Sequence, residues 1–339
     1  MMKIIIVGGT GGTNVADAFM KASQKFNIES YFLSFLSAYE APKLIKQFNW
    51  HIRGKYPTKL NTFSQEILEE CLNNKPNLLL TTGITPINSQ ALQQIGKLGI
   101  KRLNFLTDDP WNKAHYPPWF FQCLPHYDVI FTPRRANIDD LKNIGCRDVK
   151  YLPFGYDPDL FYPEIPTDKE KENYIADVMF AGGADSDRIP YIDALIKAGM
   201  KVNLYGTYWE RFPETKAYTR GQADVKTLRL AIKSTKIALC LVRQANRDGH
   251  VMRSFEVPAV GACMLTEDTP EHREIFGEEG ENVIYFKTIP EMLAKARWLL
   301  DNESERLRLA NNAYKLITKG GNTYGDRLQY ILKTLSGEK

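Results

Sequence analysis

The chain has 339 residues, 43% of them hydrophobic and 25% charged, with 44 basic against 40 acidic side chains and a formal net charge of +4. That length exceeds what one core serves and predicts two domains, while the near-balanced charge, with no basic block standing out, gives no footprint for nucleic acid. No apolar run reaches the roughly 18 residues of a membrane helix, the start reads as a buried strand rather than a signal peptide, and a cytoplasmic protein is expected.

The five cysteines are scattered without a Cys-x-x-Cys pair. This argues against a disulfide framework or zinc ribbon and predicts reduced core thiols. Residues 3–7 form the first predicted strand. Gly8-Gly9-Thr10-Gly11-Gly12-Thr13 follows, leading into a helix over 14–26. A glycine loop between strand and helix suits a phosphate or dinucleotide. The dinucleotide pattern nevertheless fails, because Asn14 stands where a third glycine belongs and no acid ends the second strand. Two readings stay open: a tight strand-to-helix turn, or a loop whose N–H groups contact an acceptor substrate.

Further strands are predicted at 29–35, 77–81, 102–106, 127–131 and 148–152, with helices at 63–72, 89–97 and 138–144 between them. Such alternation implies a mostly parallel sheet covered on both faces. Just beyond residues 102–106 comes Thr107-Asp108-Asp109-Pro110-Trp111. Its acids suit sugar hydroxyls or a proton transfer, or else Asp109 and Pro110 open a turn and cap a helix. Trp111, Tyr116, Trp119, Phe120 and Phe121 form an aromatic patch that lines an acceptor path or packs a core. Residues 153–175, with four prolines and a charged run at 168–172, are expected to link the domains.

The alternation restarts with strands at 176–181, 201–205, 236–241, 262–265 and 282–286. Gly182 and Gly183 follow the first of these, with Arg188 entering a helix over 189–198. Backbone N–H groups, helix dipole and guanidinium together favour a diphosphate, while a surface arginine in a capped turn is the alternative. Arg243, Arg247 and Arg253 lie near the next strand end and can share that task. Asp248 and Glu256 bracket a turn and a short helix that ends at Gly261 and feeds the strand over 262–265. A fixed carboxylate beside free N–H groups suits a ligand carrying phosphate and vicinal hydroxyls. His51, His115, His126, His250 and His272 show no metal-binding spacing. His250 reads as a loop residue or a sugar contact. No Gly-x-Ser-x-Gly elbow is present. Helices at 289–300, 304–318 and 324–335 close the chain, the last expected to pack back on the first domain.

The second half carries a resemblance. Tyr151 to Pro163, Phe180-Ala181-Gly182-Gly183 with Arg188, Leu204 to Trp209, Arg253-Ser254-Phe255-Glu256 and Gly261 to Thr266 together resemble the CgeB-like glycosyltransferases, and Asn322 to Arg327 is similar to the family's closing helix. That group is related to the retaining glycosyltransferases of the GT-B fold. The resemblance implies an α/β protein with two Rossmann-like, doubly wound domains facing a central cleft and C-terminal helices crossing back. The expected boundaries are 1–152 for the acceptor side, 153–175 for the linker, 176–320 for the donor side and 321–339 for the returning helix. It implies further that Glu256 holds the ribose hydroxyls, Asp248 contacts the transferred sugar, and the Val251 and Met252 N–H groups face the diphosphate beside Arg188. Asp248 is one methylene shorter than the family's Glu, and Asp108 stands where many relatives carry a His that meets the donor sugar. The glycine loop is similar to that of the MurG-type enzymes, which supports an acceptor-facing role for Gly9, Thr10, Gly11, Gly12 and Thr13.

The expectation is a metal-independent glycosyltransferase with no cofactor, using a nucleoside-diphosphate sugar, UDP-sugar favoured. Its acceptor is a glycan, a protein, a lipid-linked molecule or a small molecule. Asp108, Arg188 and Asp248 are the catalytic candidates. Gly182, Gly183, Arg188, Arg243, His250, Val251, Met252, Arg253 and Glu256 are the donor-binding ones. Asp109 and Trp111 join the glycine loop on the acceptor side. The alternatives are a nucleotide-sugar epimerase of the same fold, or an inactive nucleotide-sugar-binding or coat-associated protein.

Overall fold

The two runs of strand-helix alternation become two parallel sheets in the computed structural model, which describes residues 2–114 and 116–336. His115 and residues 337–339 of the expected returning segment lie outside the described residues. The chain divides into two units, one comprising Met1–Pro153, Ala245–Asp248 and Tyr324–Lys339, the other Phe154–Gln244 and Gly249–Thr323.

The first unit runs β1 (Lys3–Gly8), α1 (Val15–Lys25), β2 (Glu29–Ser34), α2 (Lys43–His51), α3 (Leu60–Asn74), β3 (Leu78–Thr82), α4 (Ser89–Lys97), β4 (Lys101–Phe105), α5 (Pro118–Phe121), β5 (Val129–Thr132), α6 (Ala136–Asn143) and β6 (Val149–Tyr151). Its six strands are ordered β2-β1-β3-β4-β5-β6, each pair parallel. Ile4 to Val7 and Leu78 to Leu80 are fully buried because helices cover both faces, so they read as unbroken apolar runs. Gly8 lets α1 lie against the sheet: a Cβ there would come 2.2 Å from the Ala16 Cβ and 2.4 Å from the Thr82 Oγ1.

The second unit runs α7 (Asp168–Tyr174), β7 (Ala176–Ala181), α8 (Ile189–Lys197), β8 (Val202–Tyr205), α9 (Pro213–Lys216), α10 (Val225–Ser234), β9 (Thr235–Cys240), α11 (Arg253–Ala259), β10 (Met264–Glu267), α12 (Pro270–Phe276), β11 (Ile284–Phe286), α13 (Ile289–Asp301) and α14 (Glu303–Lys319). Its five parallel strands are ordered β11-β10-β9-β7-β8. The segment read as a linker belongs to this unit from Phe154 onward. Inside it, α7 opens with a Thr167–Glu170 capping box and packs on α10. α10, absent from the sequence reading, is fixed by Asp224, whose carboxylate accepts the Thr227 N–H at 2.7 Å, and by the buried run Leu228 to Ile232.

The last helix, α15 (Tyr324–Ser336), returns to the first unit as expected and packs on α1, with Tyr324 edge-on to Phe19 at 5.7 Å. All five cysteines are free and buried. Burial pushes the Cys71, Cys123, Cys146 and Cys263 thiols up to about 12, in keeping with inert core thiols. Among the described residues no helix is long and apolar enough to cross a membrane.

Candidate functional site

In each sheet the strand order reverses at the first strand of its unit, between β1 and β3 and between β7 and β9. Ligands of doubly wound sheets bind at the carboxyl ends of the strands beside such a switch point. Gly182 and Gly183 emerge from β7 at that place. The Gly182 N–H donates to the Tyr205 carbonyl at 2.8 Å, and its carbonyl accepts the Trp209 indole N–H at 2.8 Å, so the turn is held from both sides.

Arg188 is buried at the N-cap of α8. Its Nη1 donates to the Gly183 carbonyl at 3.1 Å and its Nη2 to the Leu241 carbonyl at 3.3 Å, so one guanidinium ties together the two strand ends that flank the switch point. Asp185 lies 3.5 Å from Arg188 and 3.7 Å from the more exposed Arg243. Glu267, at the end of β10, accepts the Val242 N–H at 2.5 Å. Burial raises its pKa, the Val242 hydrogen bond and the Arg188 charge working against that rise. Two arginines and two carboxylates thus gather at this edge, with Arg243 the cation nearest solvent.

Glu256 is buried in the first turn of α11, ion-paired with Arg253. The start of that helix is secured by a relay. The Val251 N–H donates to the Ser254 Oγ at 3.1 Å, Ser254 lies 2.8 Å from the His272 Nε2, and the His272 Nδ1 lies 2.8 Å from the Glu267 carbonyl. Because a carbonyl can only accept, His272 carries its proton on Nδ1 and Nε2 accepts from the Ser254 hydroxyl. Burial lowers the His272 pKa to about 4, so the ring is neutral at physiological pH. Neither Ser254 nor His272 was singled out from the sequence, since each reads as an ordinary residue until the fold brings them together. His250 is fully buried between Phe154 and Phe255, both rings edge-on at 5.7 Å, and its Nε2 accepts the Phe154 N–H at 3.2 Å. Met252 is the N-cap of α11.

The remaining candidates lie in the first unit. In the glycine loop the Gly11 N–H donates to Asp17 at 2.5 Å, and Gly11 and Gly12 are exposed with left-handed φ of 83° and 61°. Asn14 folds back on the loop, donating to the Thr10 carbonyl at 3.0 Å, and this explains an asparagine where a dinucleotide loop needs glycine. Asp108 accepts the Thr107 hydroxyl at 3.1 Å. Asp109 is fully buried: Arg247 grips both its oxygens, at 2.7 and 3.0 Å, the Asn137 amide donates at 2.9 Å and the Trp111 N–H at 3.0 Å. Arg247 also reaches Asp140 at 2.6 Å and lies over the Trp111 ring at 5.7 Å. It therefore serves the Asp109 network, where the sequence reading had it share a diphosphate. Asp248 is buried against Arg134, beyond the end of β5. Arg134, Asn137 and Asp140 were missed, although paired arginines just after a predicted strand were a legible signal.

Two parallel, doubly wound sheets with the final helix returning to the first unit define a GT-B-like fold. Residues 188–333, the segment carrying Arg188 and Glu256, match the family model described as glycosyl transferase-like. Among solved structures, the sucrose-phosphate synthase of Thermosynechococcus elongatus is similar with a TM-score of 0.69 at 11% identity, over 99% of this chain and 100% of that one. HepE of Anabaena, solved with UDP and glucose, gives 0.66 at 12% identity, over 99% and 100%. The UDP-GlcNAc 2-epimerase of Neisseria meningitidis, bound to UDP-GlcNAc, gives 0.55 at 14%, again over 99% and 100%. No curated protein matches the sequence.

Proposed function

We propose that the chain is a CgeB-like glycosyltransferase that takes a hexosyl group from a nucleoside-diphosphate donor, UDP-sugar favoured, and transfers it with retention in the cytoplasm. The observation that carries this reading is Arg188, which bridges the ends of β7 and β9 beside the Gly182–Gly183 turn, within the segment that matches the glycosyl transferase-like model. Departure of the nucleoside diphosphate builds negative charge on its β-phosphate. A preorganised, water-poor guanidinium stabilises such charge without reorganising, and Arg243 adds a second cation from the solvent side. Glu256 is assigned to the ribose, whose vicinal hydroxyls a carboxylate accepts as a pair. In a retaining transfer the leaving phosphate takes the acceptor's proton on the same face, so no protein nucleophile is required. This account places the charge on arginines and calls for no metal. Gly9 to Thr13 are proposed for the acceptor, which is a glycan, a protein, a lipid-linked molecule or a small molecule.

The likeness to the 2-epimerase keeps that reaction as the rival. Incubation with a panel of UDP-, GDP- and TDP-sugars separates the readings: released nucleoside diphosphate or transferred sugar supports the transferase, an isomerised donor the epimerase, and binding without product an inactive binder. Calorimetry tests the ribose assignment. Glu256→Gln keeps the shape beside Arg253 and should weaken UDP binding by about 1.5–3 kcal/mol, the worth of hydrogen bonds to a charged group. Wild-type affinity in that variant would remove Glu256 from the donor site.

A further inference from the structure

Helix α2 is built inside out. Leu44, Phe48 and Ile52 recur at i, i+4 and i+8 with Ile45 beside them, so they form one stripe. On a helix that packs on a core this stripe faces inward. Here Leu44 is 80% exposed, Ile52 70%, Phe48 55% and Ile45 46%, whereas the one buried residue of the helix is the polar Asn49. The Asn49 side chain donates to the Thr58 hydroxyl at 2.9 Å, which fixes the orientation of the helix. Trp50, half exposed, lies under the Lys55 ammonium at 4.3 Å.

The charge of the same stretch is one-sided. Residues 41–65 contain Lys43, Lys46, Arg53, Lys55 and Lys59 and not one Asp or Glu, in a chain that is otherwise nearly balanced. Lys59 reaches back to Glu40 at 3.0 Å, the Arg53 guanidinium lies over the Tyr56 ring at 4.4 Å, and Lys43 and Lys46 are exposed on α2 itself. An outward apolar stripe, a tryptophan at its margin and flanking lysines and arginines match the boundary between acyl chains and anionic headgroups. The apolar side chains enter the first, and the long cationic ones reach the phosphates. A second copy suits this face less well, because a two-fold contact would set these cations against themselves.

We propose that α2 and its flanks dock the first unit on the surface of a bilayer containing anionic phospholipid. Phe35, just beyond β2 and eight residues before α2, sits beside the glycine loop, its ring within 3.5 Å of where a Gly9 Cβ would stand. Resting on the transferase reading, one consequence is an acceptor presented at a membrane surface. The docking itself is independent of that reading.

Flotation of the full-length protein with vesicles tests it without any activity readout. Vesicles of phosphatidylcholine and phosphatidylglycerol in equal parts should carry the protein up, pure phosphatidylcholine vesicles should not, and added salt should weaken the association. Leu44→Ser combined with Phe48→Ser should lower binding by more than about tenfold. Lys43→Glu should lower it by about fivefold or more. All three side chains are exposed, so unchanged melting curves will show that the fold is intact. Failure of the wild-type protein to float with anionic vesicles overturns the proposal and gives the face to a soluble partner. Binding that survives both variants overturns it as well, as does a dimer in sedimentation velocity that Phe48→Ser dissolves.

Discussion

A carboxylate taken out of water needs a cation and hydrogen bonds around it, and Asp109, Asp248 and Glu256 each meet that need with a different arginine. Arg247 holds both oxygens of Asp109 from 138 positions away in sequence, and Arg134 holds Asp248 from 114 positions away. Only Arg253, three residues before Glu256, is a neighbour that a reader of the sequence could pair with its acid. In the Arg134–Asp248 pair the two side chains are 3% and 4% exposed. Arg134→Met should therefore cost about 3–5 kcal/mol in urea unfolding, because it strands a buried charge. Replacing both, Arg134→Met with Asp248→Leu, should recover most of that loss. A double variant as unstable as the single one would show that the pair does not act as a unit.

At the scale of elements, the position of α11 depends on β10 and α12 through the Ser254–His272 relay. Thr269 caps α12 by accepting the His272 N–H at 3.0 Å, so the same turn that starts α12 aims the imidazole. His272 titrates near 4 when folded, against about 6.5 in an unfolded chain. Between those values the unfolded chain binds the proton and the folded one does not. Stability is thus fully present above about pH 6.5 and falls as pH drops toward 4, by about 3 kcal/mol in all. Comparing wild type with His272→Gln in urea unfolding across that range isolates this contribution from the carboxylates. Gln keeps a donor and an acceptor but does not titrate, so its curve should be flatter, and equal slopes would refute a neutral His272.

For the whole molecule, two sheets with two cores give two switch points, and the candidate donor residues cluster at the one in the second unit. Hydrogen exchange with and without UDP tests this division. Saturating UDP should slow exchange over residues 182–189 and 250–257 while leaving β3 and β4 of the first unit unchanged. Slowing confined to the first unit would move the nucleotide away from Arg188 and Glu256.

The alternation of strands and helices was legible from the sequence because period and burial are local properties: Ile4 to Val7 or Leu78 to Leu80 must be covered on both faces wherever they lie in space. The glycine turn at Gly182, Arg188 after it and the helix carrying Glu256 were legible for the same reason, as punctuation at strand ends. A pattern, however, says which side chains share a face and not what that face meets. From the sequence Asp109 is a sugar contact or a capping acid and Asp248 a sugar ligand, and only the fold shows Arg247 and Arg134 paired with them. His272 was one histidine of five until burial made it neutral and the Glu267 carbonyl fixed its proton on Nδ1. The sequence determined the two sheets and the order of the candidate site along the chain. The tertiary structure alone decided which charges cancel, which histidine is locked, and that the apolar stripe of α2 faces out, because those outcomes depend on residues far apart in sequence competing for burial.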